Sequence, residues 1–367
     1  TVAESMAIVI ETENNSDIPE ESPVMEDPDW RHLSAEAMIA KIAAAGIVGL
    51  GGAAFPTYRK LRLPPGVAVD TLILNGAECE PYLTCDERLM MEEASEIIEG
   101  GFLLAKIVGA QKVLIGVEDN KPLAFNVLKE AVSHLKLPMP VHIVACKARY
   151  PQGSEKQLIE ALTQRKVPPG KLPFHVGVVV QNVATAFSCY HAIRYGSPLL
   201  DRVITVSGGG ILNPKNLRVP IGTSVEAIAQ FCGGIHHDTV KVIAGGPMMG
   251  RASGRLDVPV TKGMSGILFF RSNEIRADHY GPCISCGRCL EACPLGLEPN
   301  QISIYTEAGR ALETEEFGTK ECFECGCCSF VCPAERPLVQ FIQMAKQAFQ
   351  TGSQIGLGVY PGGIHVC

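Results

Sequence analysis

Hydrophobic patterning changes character twice along the chain. From Ser34 onward, Ala35, Met38, Ile39 and Ile42 recur at helical spacing, and Ser34 reads as a helix cap without the acidic partner of a capping box. Short, β-branched apolar runs then alternate with longer amphipathic stretches. The runs at 71–74, 112–117, 141–144 and 176–180 read as strands. The stretches at 92–108, 121–135 and 155–162 read as helices. That βαβ rhythm predicts an α/β domain with a parallel sheet over 31–198.

Near Pro198 the rhythm changes. The pattern predicts a strand at 202–206, a glycine turn at 208–210, a strand at 216–219, a helix at 224–231 and a strand at 240–244, and the cysteine region begins after 263–270. A small β-grasp module over 199–272 fits this order. From 273 to 350 the predicted elements are helical, at 300–312 and 338–349. Before the first helix, 6–10 reads as a strand and 14–29, acidic and with three prolines, as a linker. The segments 1–30 and 351–367 thus flank three domains.

Cysteines dominate the last domain. Cys283, Cys286, Cys289 and Cys293 stand as C-x2-C-x2-C-x3-C before Pro294. Cys322, Cys325, Cys328 and Cys332 repeat the spacing before Pro333. This is the bacterial-type run for two cubane iron–sulfur clusters, in which the fourth cysteine ligates the other cluster. The expected sets are therefore Cys283, Cys286, Cys289 with Cys332, and Cys322, Cys325, Cys328 with Cys293. Structural zinc also uses C-x2-C pairs, but has no use for a third cysteine two residues on.

Bulk properties narrow the picture. The chain has 367 residues, enough for two or three cores, and 46% are hydrophobic. A formal charge of -7 with 6% aromatics argues against nucleic-acid binding. No apolar run approaches the roughly 18–20 residues of a membrane span. Fifteen cysteines, an odd number, with no signal peptide apparent, are expected of a reducing compartment rather than of a disulfide framework.

Two loops carry further candidate chemistry. The stretch GIVGLGGAAFPT, from Gly46 to Thr57, places G-x-G-G after a predicted helix. Lacking side chains, it lets backbone N–H groups close on a phosphate, and Lys60 adds a positive charge. It is neither a P-loop nor the usual dinucleotide fingerprint. An ordinary turn explains such a loop about as often. NGAECEP, from Asn75 to Pro81, follows the strand at 71–74 and places carboxylates where ligand crevices of parallel sheets open. A solvated loop is the even alternative.

These stretches, with YPQGSEKQL, VGVVVQNVATA, GVEDNKP and IAGGPMMG, resemble in order those of the flavin-carrying NADH-binding subunit of respiratory complex I. They are closer still to the C subunits of the Rnf complex, the membrane-bound NAD:ferredoxin oxidoreductase. The resemblance implies the fold class: a complex I flavin-subunit-like α/β nucleotide-binding domain, an SLBB-like β-grasp module and a mostly helical two-cluster ferredoxin domain. It implies non-covalent FMN, two [4Fe–4S] clusters and NAD(H) as substrate. By motif, Gly49, Gly51, Gly52 and Lys60 would hold the flavin phosphate or approach the nucleotides, and Phe55 would stack on the adenine. Asn75 would bond the flavin and Glu80 the NADH ribose. Glu155 would touch nucleotide, and Asn182 and Thr185 the flavin phosphate. Leu50, Ala54, Ala77, Tyr82 and Ala184 depart from the family pattern. The implied partners are the other Rnf subunits, membrane-embedded and ferredoxin-like, and indirectly ferredoxin. The implied place is the cytoplasmic face of the bacterial membrane, with electron flow coupled to sodium ions or protons. A cobalamin reductase-like flavoprotein and a non-enzymatic iron–sulfur adaptor are the alternatives.

Several conspicuous residues read as packing. Cys146, Cys189 and Cys232 sit among apolar neighbours, Cys79 and Cys85 near the proposed nucleotide site read as small packing residues, and Cys327 breaks the ligand spacing. His236 and His237 read as a surface turn, and Met248 and Met249 as packing. A last strand of the family's N-terminal barrel is expected at 5–11, and Gly362 to His365 match its usual opening stretch.

Overall fold

The computed structural model describes residues 26–275 and 280–352. The expectations for 5–11 and 362–365 lie outside them. The first unit is built on a parallel sheet of β1 (Thr71–Gly76), β2 (Lys112–Glu118), β3 (Val141–Cys146) and β4 (Val178–Asn182), in the order β3-β2-β1-β4. Its helices are α1 (Ala35–Ala44), α2 (Thr57–Leu61), α3 (Cys85–Glu92), α4 (Ala94–Val108), α5 (Pro122–His134), α6 (Glu155–Thr163) and α7 (Val183–Tyr195). Alternation along β1 sorts its side chains. Leu72 and Leu74 join the core under α1, α4, α5 and α7, whereas Ile73 joins Leu158 and Ile159 of α6 on the other face. Helices on both faces make this a doubly wound sheet.

The helix expected over 92–108 is α4, and α3 runs up to it from Cys85. Glu93, at φ -122° and ψ 32°, ends α3 and starts α4, although apolar periodicity runs through the break. Ser34 caps α1 by accepting the Ala37 N–H at 3.2 Å.

The second unit is a five-stranded mixed sheet of β5 (Asp201–Ser207), β6 (Lys215–Pro220), β7 (Thr239–Ala244), β8 (Arg251–Ser253) and β9 (Gly266–Arg271), ordered β6-β5-β9-β7-β8. The last strand returns beside the first in parallel, and the other pairings are antiparallel. Helix α8 (Val225–Phe231) packs Val225 and Ile228 on Ile204, Ile267 and Phe269.

The third unit holds α9 (Arg288–Glu291), α10 (Pro299–Glu307), α11 (Cys327–Phe330) and α12 (Leu338–Thr351). The helix expected over 300–312 stops at Glu307, and Ala311–Phe317 is 3-10. The sequence repeat is also a backbone repeat. Ser285 and Glu324, Gly287 and Gly326, and Gly296 and Glu335 occupy equivalent places and all have positive φ. Each run thus makes the same left-handed turns before a one-turn helix, α9 or α11, and then a longer one, α10 or α12.

Candidate flavin and cluster sites

The chain proceeds from β1 outward to β2 and β3, then returns to lay β4 on the other side of β1. Strand order therefore reverses between β1 and β4, and the crevice beyond their carboxyl ends is where doubly wound sheets bind ligands. Asn75 and Asn182 are register partners at this point. The glycine loop overhangs it. Leu50 N–H donates to Thr185 Oγ1 at 2.9 Å, and a Cβ on Gly51 would lie 3.4 Å from Asn182 Cβ. Gly52 has φ +108°, a conformation side-chain-bearing residues avoid. Residues 51–55 are exposed, Phe55 among them.

Asn182 begins α7, accepting the Ala184 N–H at 2.9 Å, and its Nδ2 donates to Asp86 at 2.6 Å. The loop thus faces the N-terminus of a 13-residue helix. Helix N-termini offer unpaired N–H groups and a partial positive charge. Lys60, paired with Glu155 at 2.6 Å, stands half-exposed. N–H groups and a lysine ammonium are the donor set a phosphate requires, so these residues fit the phosphate end of a flavin nucleotide.

Residues without a signal in the sequence support this loop. Arg202, at the start of β5 and buried, donates to Leu50 O at 3.1 Å and Met264 O at 3.3 Å. Lys262 donates to Gly46 O at 2.7 Å. A lone arginine in the apolar run DRVITV was the available clue. Behind Asn182, Glu78 accepts the Asp86 and Glu87 N–H groups and pairs with buried Lys121 at 2.8 Å. Burial, then the Glu78 carboxylate, pushes the Asp86 carboxyl up to about 7.

Two expected nucleotide ligands are already engaged. Asn75 donates to Gly153 O at 2.8 Å and accepts the Ala77 N–H, which ties the YPQG loop to the β1 loop. Glu80 departs further from expectation. Its oxygens accept the N–H groups of Met248 and Met249, at 3.0 and 2.8 Å, in the turn after β7. That turn lies so close that a Cβ on Gly246 would stand 2.3 Å from the Glu80 carboxylate. Glu80 thus serves as a clasp between two units, with Met248 and Met249 as its backbone partners. His236, partly buried beside exposed His237 in the turn before β7, pairs with Asp238, itself paired with Arg271.

In the third unit one cavity is lined by Cys283, Cys286, Cys289 and Cys332, with Asn300 and Arg336. Cys322, Cys325, Cys328 and Cys293 form the second group. Charge on Cys325 and Cys293 would raise the Cys322 thiol, and Cys328 feels Cys322, Cys325 and Cys293. Burial pushes Cys322 up to about 11 and Cys328 up to about 12. Convergent thiols that resist ionising alone are what a cationic iron centre stabilises, so both groups fit clusters. Cys327 hydrogen-bonds Cys325. The second group abuts the first unit. Tyr150 donates to Cys325 O at 2.6 Å, Gln157 to Pro294 O at 3.1 Å, and Lys156 pairs with Glu321 at 3.5 Å.

Comparison with known proteins agrees with this geometry. Residues 42–191 match the Nuo51 FMN-binding domain, 203–252 the SLBB domain and 282–335 the 4Fe-4S dicluster domain. A NAD+-reducing [NiFe]-hydrogenase chain shares the fold, with TM-score 0.60 and 19% identity over 89% of this chain and 56% of its own. Fold and sites thus define a flavin and iron–sulfur electron-transfer protein.

In Clostridium ljungdahlii, the C subunit of the proton-translocating ferredoxin:NAD(+) oxidoreductase complex is 46% identical over 93% of this chain and 73% of its own length. The Na(+)-translocating counterpart of Acetobacterium woodii is 42% identical over 93% of this chain and 76% of its own. In Rhodobacter capsulatus, the C subunit of the ion-translocating oxidoreductase complex is 45% identical, and this chain spans 60% of it. The chain belongs to the family of C subunits of ion-translocating oxidoreductase complexes.

Proposed function

We propose that this chain is the NAD(H)-reacting subunit of an ion-translocating ferredoxin:NAD oxidoreductase, exchanging electrons between NAD(H), FMN and two [4Fe–4S] clusters. The observation that carries it is the glycine loop at the switch point, joined to a cysteine group docked on the same unit through Tyr150. Gly49, Gly51, Gly52, Lys60 and Thr185, with the start of α7, hold the flavin phosphate. Asn75 and Asn182 line the crevice, and Phe55 and Glu155 stand at its mouth for the nicotinamide nucleotide. FMN held there would supply two-electron acceptance of a hydride and one-electron release, and the clusters would carry the single electrons. The protein's part is to hold these groups in place, and no side chain need act as acid or base.

No described helix is long and apolar enough to cross a membrane. The protein sits peripherally at the cytoplasmic face and meets membrane-embedded and ferredoxin-like subunits of its complex. Family membership favours this reading over a cobalamin reductase or a flavin-free adaptor.

The test is the purified protein. A flavin absorbance band bleached by NADH, with about eight iron atoms per chain, is the expected result. Gly51→Val should lose the flavin and keep the iron, because the added side chain turns toward Asn182 where the phosphate enters. Full flavin occupancy in that variant would place the cofactor elsewhere.

A further inference from the structure

The two cysteine groups repeat each other in spacing and backbone, yet their surroundings differ at two equivalent places. Arg336 stands four residues after Cys332, where Leu297 stands after Cys293. Asn300 stands seven residues after Cys293, where Val339 stands after Cys332. Arg336 and Asn300 both line the cavity of Cys283, Cys286, Cys289 and Cys332. The group of Cys322, Cys325, Cys328 and Cys293 has the apolar counterparts.

Arg336 is buried, with 3% of its side chain exposed. Its guanidinium donates to Ser303 Oγ at 3.3 Å, Gly281 O at 3.4 Å and Glu307 at 2.6 Å. Glu307, its one carboxylate, is 38% exposed, so water screens the negative partner more than the positive one. Backbone N–H groups reach sulfur in both groups, Asn300 at Cys289 and Leu297 and Glu324 at Cys293 and Cys322, so what sets Asn300 apart is its side chain. Its Oδ1 is buried with no hydrogen-bond partner. Turning the amide over puts Nδ2–H in that place, a donor for sulfur. Cys286 is exposed as well. The other group's cation, Lys346, donates to Cys322 O at 2.5 Å but is balanced differently. It pairs with Glu324 at 2.7 Å, and the two are 26% and 30% exposed, so their charges are screened alike. Arg288 and Glu335, beside the first cavity, are exposed to water.

Cluster potentials follow local charge, hydrogen bonds to sulfur and solvent access. We propose that Arg336 and Asn300 make the cluster of Cys283, Cys286, Cys289 and Cys332 the higher-potential member of the pair, so that an electron shared between the two rests there. This relies on the proposed crossed ligand sets. Arg336 acts as a positioning and tuning residue and not as a ligand.

EPR-monitored redox titration of the cluster-loaded protein tests it. Two midpoints are expected, and Cys286→Ser should alter the signal of the higher one. Arg336→Gln should lower that midpoint and leave the other in place, Asn300→Leu should lower it less, and Glu307→Gln should raise it. Arg336→Lys keeps the charge and should stay near the native value, which separates tuning from a packing defect. If Arg336→Gln fails to load clusters, the sign of the Glu307→Gln shift still decides. Shifts of equal sign in the Arg336→Gln and Glu307→Gln variants, or no shift, would overturn the proposal. A lower midpoint marked by Cys286→Ser would overturn it too. Disturbance of the Cys322, Cys325 and Cys328 signal by Cys332→Ser would instead overturn the crossed sets beneath it.

Discussion

Glu80 holds a turn of the second unit through two backbone amides, and desolvation holds its carboxyl above the usual range while those amides pull it down. Gln in its place can accept from only one of them and turns an N–H toward the other. Losing a charged hydrogen bond costs about 1.5–3 kcal/mol. Glu80→Gln should therefore unfold at lower temperature, with faster hydrogen exchange at Met248 and Met249, while flavin content and NADH affinity are kept. Weakened NADH binding with unaltered exchange would return Glu80 to the ribose. Asp86 gives a pH signature. Its carboxyl moves from an ordinary 3.8 to about 7 in the fold, first through burial and then through Glu78. Between those values the folded chain keeps a proton the unfolded chain has released, so this group's contribution to stability falls as pH rises from about 4 to about 7. Asp86→Asn mimics the protonated form and should flatten that decline. Calorimetric melting of both proteins across this range checks it, and parallel pH profiles would rule it out.

At the scale of elements, the crossed ligand sets give a directional expectation. Cys293→Ala, although its residue belongs to the first run, should impair the centre of Cys322, Cys325 and Cys328. EPR of the variant reads this, and loss of the Cys283-run signal would contradict it. Much of this level was legible beforehand. The parallel strands were readable because buried strands are continuous apolar runs, and the dicluster domain because ligand spacing is a chemical requirement. Leu89, Met90, Ala94, Ile97 and Ile98 keep one apolar period across Glu93, so periodicity alone did not mark the break, although the helix expected from 92 begins beside it. Helix α7 was hidden because VATAFSCYHAIRY is buried nearly all round and shows little amphipathic contrast. In the site, the glycine loop could be read from composition. The engagement of Asn75 and Glu80 could not, because it depends on which loops the fold brings against them.

In the whole molecule the three units meet around one narrow region. Glu80 of the first unit holds Met248 of the second, and a Cβ on Gly326 of the third would stand 2.7 Å from Met248 O. Tyr150 reaches from the first unit to Cys325 O. Tyr150→Phe should leave NADH reduction of the flavin unchanged and slow the onward reduction of the clusters several-fold. Stopped-flow absorbance at flavin and cluster wavelengths separates the two steps, and unaltered cluster kinetics would exclude a role for Tyr150 in setting that distance. The repeat in the third unit also bears on biogenesis. Because Cys293 and Cys332 are each placed beside the other run's three cysteines, neither iron centre can be completed while only the first run has left the ribosome. Iron delivery must wait for both arms, and the first centre to close pins the sulfur needed by the second. In the native chain the first centre to form should then speed the second, and iron-starved cells should yield few chains with a single centre.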